Sequence, residues 1–391
     1  MKIGIITHYF GSKNYGGNLQ AYALVEFLSK QGYIAEQISY NRANDNEKYN
    51  KEEIKTWKKL FKKVIKKFQY IARKCFFAFL KNRNHQVQNR NGSIDKFNQS
   101  IPHSAQIYNL KKINDIKNKY DVFIVGSDQV WHPAAICSAY LLNFDVGNGY
   151  KISYAASLGG AVLTERQKQL FSESLKTYDA ISVREESSVD LIQPLTKTKV
   201  EWVLDPTLLL SSEDWNQICP PRRVPDKYVF CYFLGGIARY RKIVKQFAKA
   251  KKLKIVTLPY LGGALVGENF GDYRLFDVSP ADFISLIKNA EYVFTDSFHA
   301  TVFSHIYHKN FFVFNRAGLK SMNDRIYSLI SLFNTQDRFC DTKAKISLKY
   351  IESLPPIDYN KEFLKFEEQK EKSIKFLREN LGKAKQKLKN D

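Results

Sequence analysis

The stretch TDSFHATVFS, residues 295–304, places an acid, a hydroxyl and a histidine close together. The apolar run before it predicts a strand, and the stretch itself predicts the start of a helix. Ser297 would then lie at the helix start, where free N–H groups and the helix dipole favour an anion. His299 would lie in the first turn, suited to proton transfer because the pKa of imidazole is near neutrality. The pattern predicts an anion site with acid–base chemistry; a packed or capping histidine is the structural alternative.

Three more polar clusters follow predicted strands of the chain. They are NYGGNLQ, with Asn18 and Gln20, GSDQ, with Asp128 and Gln129, and the REE sequence that begins at Arg184. In open α/β sheets, ligands bind outside the carboxyl ends of the strands, so these clusters are candidate binding groups. Each also has a structural explanation, as a helix cap, a turn or a surface ion pair.

Strands and helices alternate along most of the sequence, which predicts an α/β protein with parallel sheets. The 391 residues exceed what one hydrophobic core usually supports, about 250–300 residues, so we expect two domains. A polar, proline-rich patch begins at residue 211, after which the alternation restarts. We place a Rossmann-like domain at 1–210, a second at 211–355 and a charged helix at 356–391.

Residues 51–90 interrupt this alternation with a basic, amphipathic pattern typical of a helix inserted in the first domain. Its apolar residues recur at three- and four-residue steps, and lysines lie on the other face of the predicted helix. Two interpretations stay open for 54–76: this segment binds an anionic membrane surface, or its apolar face packs on the first domain.

Composition limits the classes of partner and compartment. The formal net charge of +22 indicates an anionic partner, which could be a phosphorylated small molecule, a nucleic acid or an acidic membrane face. The five cysteines are scattered and never in a C-x-x-C spacing, so we expect neither a disulfide framework nor a zinc site. No apolar run reaches membrane-spanning length, and we expect a cytoplasmic protein, with peripheral attachment to the inner membrane face as an option.

Several motifs together resemble the polysaccharide pyruvyl transferase family. They are NYGGNLQAYAL, YDVFIVGSDQVW, ISYAASLG, ISVREESS, VLDPTLLL and TDSFHATVFS, in the order of the family and spanning residues 3 to about 330. The resemblance implies two Rossmann-like domains that face a central cleft, similar to the GT-B glycosyltransferases. It also implies transfer of a pyruvyl group from phosphoenolpyruvate onto two hydroxyls of a sugar, which forms a cyclic ketal and requires no metal or further cofactor.

The resemblance also implies roles for individual residues. In the family, an arginine of the first domain and a histidine of the second contact the donor, and by motif these match Arg184 and His299. A downstream basic residue helps to hold the donor; Lys320 is a candidate, and Arg316 and Arg325 compete with it. We therefore expect Arg184 and His299 to face each other across the cleft.

The predicted site divides into a donor and an acceptor group. The donor group comprises Arg184, Ser297, His299, Lys320 and Arg325, with Arg184 and His299 as catalytic residues. The acceptor group comprises Asn18, Gln20, Asp128 and Gln129. Many family members have an R-L-H sequence where this chain has Ser297-Phe298-His299, so one donor contact is either absent or supplied by another residue.

The resemblance implies that the acceptor is a sugar on a polyprenyl phosphate, in capsular or exopolysaccharide biosynthesis at the cytoplasmic membrane face. Two alternatives remain from the sequence. One is a GT-B glycosyltransferase with a nucleotide-sugar donor. The other is a basic, non-catalytic binding protein, although the lysines cluster in one helix and no recognised nucleic-acid module is present, so we expect no nucleic-acid partner.

Overall fold

The computed structural model describes residues 1–42, 81–259, 269–316, 323–341, 346–361 and 363–390. In these residues the chain forms two six-stranded parallel sheets. We call the sheet of the N-terminal half, with its helices, the first lobe, and the other sheet with its helices the second lobe. The expectation of two Rossmann-like α/β domains, GT-B-like in arrangement, is confirmed.

The first lobe contains strands β1 to β6. Their bounds are Lys2–Ile6 (β1), Ile34–Gln37 (β2), Val122–Val125 (β3), Tyr150–Ala156 (β4), Ala180–Val183 (β5) and Val200–Trp202 (β6). The helices are Tyr15–Lys30 (α1), Lys81–Ser100 (α2), Glu165–Leu175 (α3) and Glu186–Ile192 (α4). Of the basic helix predicted at 51–90, residues 51–80 lie outside the described residues, and 81–90 belong to α2.

The second lobe contains strands β7 to β12. Their bounds are Tyr228–Tyr232 (β7), Lys254–Thr257 (β8), Tyr273–Arg274 (β9), Tyr292–Thr295 (β10), Asn310–Phe314 (β11) and Phe339–Cys340 (β12). A short helix, Ser212–Asn216 (α5), precedes it. The later helices are Ala238–Ala250 (α6), Pro280–Lys288 (α7), Phe298–Ile306 (α8), Asp324–Leu332 (α9), Leu348–Ser353 (α10) and Leu364–Asn390 (α11).

The strand order creates one switch point in each sheet. The first sheet runs β2-β1-β3-β4-β5-β6 and the second runs β12-β11-β10-β7-β8-β9. In the first sheet, β1 is followed by its outer neighbour β2, whereas β3 is followed by β4 in the opposite direction along the strand order. In the second sheet, β7 is followed by β8 and β10 by β11, again in opposite directions. Ligands of doubly wound folds bind in the crevice at such points, so we expect a binding site at the loops after these four strands.

Local sequence chemistry explains where the helices start. Ser279 accepts a hydrogen bond from the Asp282 N–H and forms a capping box, with Pro280 as the first residue of α7, as the sequence predicts. Ser297 caps α8 in the same way, by accepting from the Ala300 N–H. The cap of α8 places His299 in the first turn, at the carboxyl end of the second sheet.

The lobes contact each other through α1. Tyr15 of the first lobe stacks on Phe283 of α7, with ring centroids 5.2 Å apart and an interplanar angle of 7°. The Tyr15 hydroxyl also donates to the Val278 carbonyl at 3.0 Å. The start of α1 therefore lies against the second lobe.

The C-terminal helix α11 returns to the first lobe although it follows the second lobe in sequence. The Leu204 N–H donates to the Ser373 hydroxyl at 2.9 Å, and Phe376 packs beside Tyr154 at a centroid distance of 6.3 Å. Both lobes are thus connected by the interface at α1 and by this helix. Among the helices that the structure describes, none is long and apolar enough to cross a membrane.

Candidate active site

Arg184 lies directly after β5 and is 4% exposed. Its Nη1 donates to Oδ2 of Asp205, which follows β6, at 2.7 Å, and its Nε donates to Glu185 at 3.4 Å. Burial opposes the charge of the guanidinium, but Asp205, Glu185 and Asp128 outweigh burial and raise the Arg184 pKa. Arg184 is therefore a fixed cation at the carboxyl end of the first sheet.

His299 reaches the same carboxylate from the second lobe. Its Nε2 lies 3.6 Å from Oδ2 of Asp205. Burial alone would raise the Asp205 pKa, but His299 and Arg184 lower it, so Asp205 is an anion between the two. The structure thus brings Arg184 and His299 together, as the sequence predicts, with Asp205 as the common partner.

Gly16, in the first turn of α1, makes this approach of His299 possible. A Cβ atom at Gly16 would lie 1.9 Å from His299 Nδ1, far inside van der Waals contact. The imidazole consequently occupies space that any other residue at position 16 would fill.

A second arginine comes from α9. The guanidinium of Arg325 lies 5.8 Å from the centre of the Phe298 ring, and that of Arg184 lies 4.7 Å from the same ring. Burial, and then the charge of Arg184, lowers the pKa of Arg325 to about 10. Two cations from different lobes therefore share one aromatic side chain in a buried setting.

Three buried nitrogens in this cluster have no hydrogen-bond partner among the described residues. They are Nη2 of Arg184, Nε of Arg325 and Nε2 of His299. Buried polar groups are normally hydrogen-bonded, and an unpaired one costs about 1–3 kcal/mol. We name these three residues the cation cluster; its unpaired nitrogens suit a bound anion with several oxygen atoms.

A polar cavity of about 290 Å³ adjoins the cation cluster at the switch point of the first sheet. Its polar lining residues come from the loops after β1 and β3: His8, Ser12, Asn14, Asp128, Gln129 and His132. Asp128 is also part of the boundary with the cation cluster, since its Oδ1 lies 3.6 Å from Arg184 Nη2. We name this space the switch-point cavity.

Comparison with known families identifies the chain. The polysaccharide pyruvyl transferase family matches residues 14–318. The chain belongs to the polysaccharide pyruvyl transferase family. Membership makes it a transferase with a sugar or polysaccharide acceptor. No curated protein matches the sequence.

Solved structures with similar folds are distant in sequence. UDP-GlcNAc 2-epimerase from Methanocaldococcus jannaschii, in complex with UDP-GlcNAc and UDP, is 13% identical with a TM-score of 0.46, over 97% of this chain and 99% of that one. Arabidopsis thaliana UGT89C1, complexed with quercetin, is 10% identical with a TM-score of 0.47, over 98% and 99%. UDP-GlcNAc 2-epimerase from Neisseria meningitidis is 11% identical with a TM-score of 0.43, over 97% and 100%.

The other predicted donor residues of this pyruvyl transferase family member have different surroundings. Ser297 uses its hydroxyl to cap α8. Arg325 belongs to the cation cluster, whereas Arg316 lies beside Asp296, with its Nη2 donating to the Asp296 carbonyl at 3.2 Å. Lys320 lies outside the described residues. Of the basic candidates that the structure describes, Arg325 is the one in the cluster, and its role in donor binding stays a prediction.

The predicted acceptor residues divide into two groups. Asp128 and Gln129 line the switch-point cavity. Gln20 is fully buried: its amide nitrogen donates to Thr7 at 3.1 Å, and its amide oxygen accepts from the Ser127 N–H at 3.0 Å. Asn18 is also fully buried and donates to the Ser12 carbonyl at 3.3 Å. These contacts place Gln20 and Asn18 behind the loops that line the cavity.

The sequence interpretation did not single out two residues of the site. Asp205 lies in the VLDPTLLL motif and follows a predicted strand. The strand-end rule that selected Asp128 therefore applies to it equally. Gly16 belongs to a glycine pair at the start of a helix, but the need for glycine there depends on a histidine 283 positions later. No local pattern contains that information.

Proposed function

We propose that this protein transfers the pyruvyl group of phosphoenolpyruvate onto two hydroxyls of a sugar and forms a cyclic ketal. The acceptor that we propose is a lipid-linked intermediate of capsular or exopolysaccharide biosynthesis. The observation that best supports the proposal is the cation cluster, in which each lobe contributes an arginine beside the Phe298 ring and each of these arginines has a buried nitrogen without a hydrogen-bond partner among the described residues.

The cation cluster matches the charge of the proposed donor. Phosphoenolpyruvate contains a phosphate and a carboxylate, and each can accept two hydrogen bonds from a planar guanidinium. Arg184 and Arg325 supply one guanidinium from each lobe, so a donor between them would neutralise two cations that otherwise repel each other. The Arg325 pKa of about 10 keeps that side chain charged at neutral pH.

The proposed chemistry uses His299 as the acid. Protonation of the donor methylene carbon by His299 makes C2 electrophilic, and the first sugar hydroxyl adds to C2. The bond between C2 and the phosphate oxygen then breaks, and the second hydroxyl adds to C2 to close the ring. One hydroxyl proton replaces the proton given by His299, and the other leaves with phosphate. General acid catalysis of this kind contributes about 10²–10⁴-fold.

The test is a screen of phosphoenolpyruvate with lipid-linked and model galactosides, mannosides and N-acetylhexosamines. We expect phosphate release together with an acceptor whose mass has increased by one ketal-linked pyruvyl group. Absence of both with every acceptor, combined with no stabilisation of the protein by phosphoenolpyruvate in a thermal denaturation assay, would reject the proposal.

The role of His299 has its own test. We expect His299→Ala to lower kcat about 10²–10⁴-fold, because the acid is removed. His305→Ala is not a suitable control, since His305 is buried and stacked on Phe333. His103→Ala is better, because His103 lies outside the site and its Nδ1 donates to the Ile101 carbonyl at 2.7 Å. Full donor turnover by His299→Ala would exclude the acid role.

The second lobe gives a reason to prefer this donor over a nucleotide sugar. At the switch point between β7 and β10, the Leu234 and Gly235 N–H groups both donate to the Asp296 carboxylate at 2.7 Å. Backbone N–H groups at such a turn commonly bind the phosphates of a nucleotide. The buried carboxyl group of Asp296 already accepts hydrogen bonds from both N–H groups, so a diphosphate would have to displace it. We therefore expect stabilisation by phosphoenolpyruvate and none by sugar nucleotides; the reverse result would favour a glycosyltransferase.

The proposed lipid-linked acceptor requires access to a membrane surface. The basic segment 54–76 is the candidate for this contact, and it lies outside the described residues. We propose that it binds anionic lipid, and liposome flotation with and without anionic lipid tests this. Flotation only with anionic vesicles supports the membrane role, whereas no binding to either vesicle would reject it.

A further inference from the structure

Asp128 presents an unpaired carboxylate to the switch-point cavity. The residue is 7% exposed and lines the cavity, yet its carboxylate accepts no hydrogen bond from the residues that the structure describes. Its closest charged partner is Arg184, at 3.6 Å. The backbone of Asp128 has a φ of 64°, a left-handed conformation uncommon outside glycine. The Asp128 side chain is 11% exposed, and a hydroxyl in the cavity would supply its carboxylate with a hydrogen-bond partner.

The two histidines of the cavity are already committed to protein contacts. His8 Nε2 lies 3.1 Å from the Gln129 carbonyl, and His8 Nδ1 lies 3.3 Å from the Tyr140 hydroxyl. The Nδ1 of His132 accepts from the Ala134 N–H at 3.1 Å, so its proton is on Nε2 and that nitrogen can only donate. Burial lowers the pKa of both histidines. Of the titratable groups that line the cavity, Asp128 is therefore the one with free proton-accepting atoms.

Asp128 lies at the boundary between the cation cluster and the switch-point cavity. One side of the carboxylate faces Arg184 and hence the cation cluster, and the residue also borders the cavity. A sugar ring in the cavity would place a hydroxyl against Asp128 while its oxygen faces a donor held by Arg184. General base catalysis requires the base to lie within hydrogen-bond reach of the proton that it abstracts, and this arrangement would provide that contact.

We propose that Asp128 is the general base that accepts the proton of the attacking acceptor hydroxyl. This inference rests on the proposed pyruvyl transfer. In the step, the hydroxyl oxygen forms the bond to C2 of the protonated donor, and its proton moves to Asp128. This proton leaves with the departing phosphate when the bond between C2 and the phosphate oxygen breaks, and the proton of the second hydroxyl replaces the one given by His299.

Donor binding would increase the basicity of Asp128. In the protein without ligands, burial favours the neutral acid, but Arg184, His299 and His8 outweigh it and lower the Asp128 pKa. A donor anion on Arg184 and His299 would compensate their charge and remove much of this effect. Asp128 would then become a stronger base when the donor is in place, and a weak one when the donor is absent.

The experiment compares Asp128→Asn, Asp128→Glu and the matched control Asp190→Asn, whose carboxylate is exposed on α4. Phosphate release with the best acceptor of the screen gives kcat, and thermal denaturation with phosphoenolpyruvate alone reports donor binding. We expect Asp128→Asn to lose about 10²–10⁴-fold in kcat. Its stabilisation by phosphoenolpyruvate should be retained or increased, because a negative charge next to the donor is removed. Asp128→Glu should recover part of the lost kcat, and Asp190→Asn should behave as the wild type.

The outcomes separate this inference from the proposed function. A wild type that turns over phosphoenolpyruvate, with an Asp128→Asn variant of near-normal kcat, would overturn the role of Asp128 and leave the pyruvyl transfer intact. Equal loss of donor stabilisation and kcat in Asp128→Asn would assign Asp128 to donor binding and also overturn it. A wild type without donor binding or turnover would reject both. If Asp128→Asn does not fold, Asp128→Glu decides, since a displaced base should lower kcat at least tenfold with donor binding unchanged.

Discussion

The guanidinium groups of Arg184 and Arg325 both lie beside the Phe298 ring, but their charges are compensated to different extents. Arg184 is compensated by Asp205, but Arg325 has an unpaired Nε and a pKa lowered to about 10 by burial and by Arg184. Each unit by which a pKa is displaced corresponds to about 1.4 kcal/mol. The free protein therefore maintains a cation at an energetic cost, which is typical of a binding site that a ligand completes.

Replacing Arg325 by Met would reveal this cost. Methionine keeps an aliphatic chain of similar length without the charge, so we expect the free energy of unfolding to rise by about 1 kcal/mol. Stabilisation by phosphoenolpyruvate should be largely lost at the same time, because one of the two donor-binding guanidinium groups is absent. Chemical denaturation, with and without phosphoenolpyruvate, measures both quantities.

Arg166→Met is the matched control, since Arg166 is exposed on α3. It should change neither stability nor donor binding appreciably. An Arg325→Met protein that is less stable than the wild type and still fully stabilised by phosphoenolpyruvate would contradict the assignment.

At the scale of elements, the site depends on the close approach of α1 to α8. Asn14 caps α1 by accepting from the N–H groups of Gly16 and Gly17, and Tyr15, the first residue of the helix, contacts the second lobe. Gly16 faces the His299 ring at a distance that excludes any side chain. The helix thus sets the position of the proposed acid.

We expect Gly16→Ala to lower kcat about 10²-fold or more, because displacement of a catalytic group by about 1 Å has effects of that size. Stability should fall by about 1–3 kcal/mol, since a methyl group is forced into an occupied space. Phosphate release and thermal denaturation check the two effects.

Gly92→Ala in α2 is the comparison, because a Cβ at Gly92 meets no atom within 4 Å. This variant should retain activity and gain slightly in stability, as glycine-to-alanine changes in helices generally do. Normal turnover by Gly16→Ala would show that His299 does not need its observed position.

The elements were largely predictable from sequence, and the contacts between lobes were not. Apolar runs located β1, β3, β5 and β10, and capping residues located α7 and α8, because these signals are local. Gly16 was not predicted because its importance depends on His299 from the other lobe, whereas Asp205 follows a predicted strand and the strand-end rule could have selected it. Strand-end position predicted acceptor binding by Asn18 and Gln20; both are fully buried, and their role in acceptor binding stays a prediction.

At the scale of the whole molecule, α11 is the element that connects the end of the chain to the first lobe. Phe376, Leu377, Leu381 and Ala384 are at most 3% exposed, and all belong to the same hydrophobic core as Ile3 and Tyr154. The charged composition of this helix therefore describes only its outer face.

Phe376→Ala should reduce the free energy of unfolding by about 3–5 kcal/mol, the usual effect of removing a buried aromatic ring. Leu388→Ala, in the same helix at a position that is 37% exposed, should change it by no more than about 0.5 kcal/mol. Chemical denaturation of both variants compares them. Equal effects would indicate that α11 does not form part of the core.

The return of α11 has a consequence for how the protein is made. The first lobe leaves the ribosome early, but Tyr154 and the Leu204 N–H obtain their partners only when residues 373–376 have been synthesised. Domains normally fold as units during translation, N-terminal first. Here the nascent first lobe keeps an apolar surface uncovered until α11 has been synthesised, and an interrupted chain would expose that surface to chaperones and proteases.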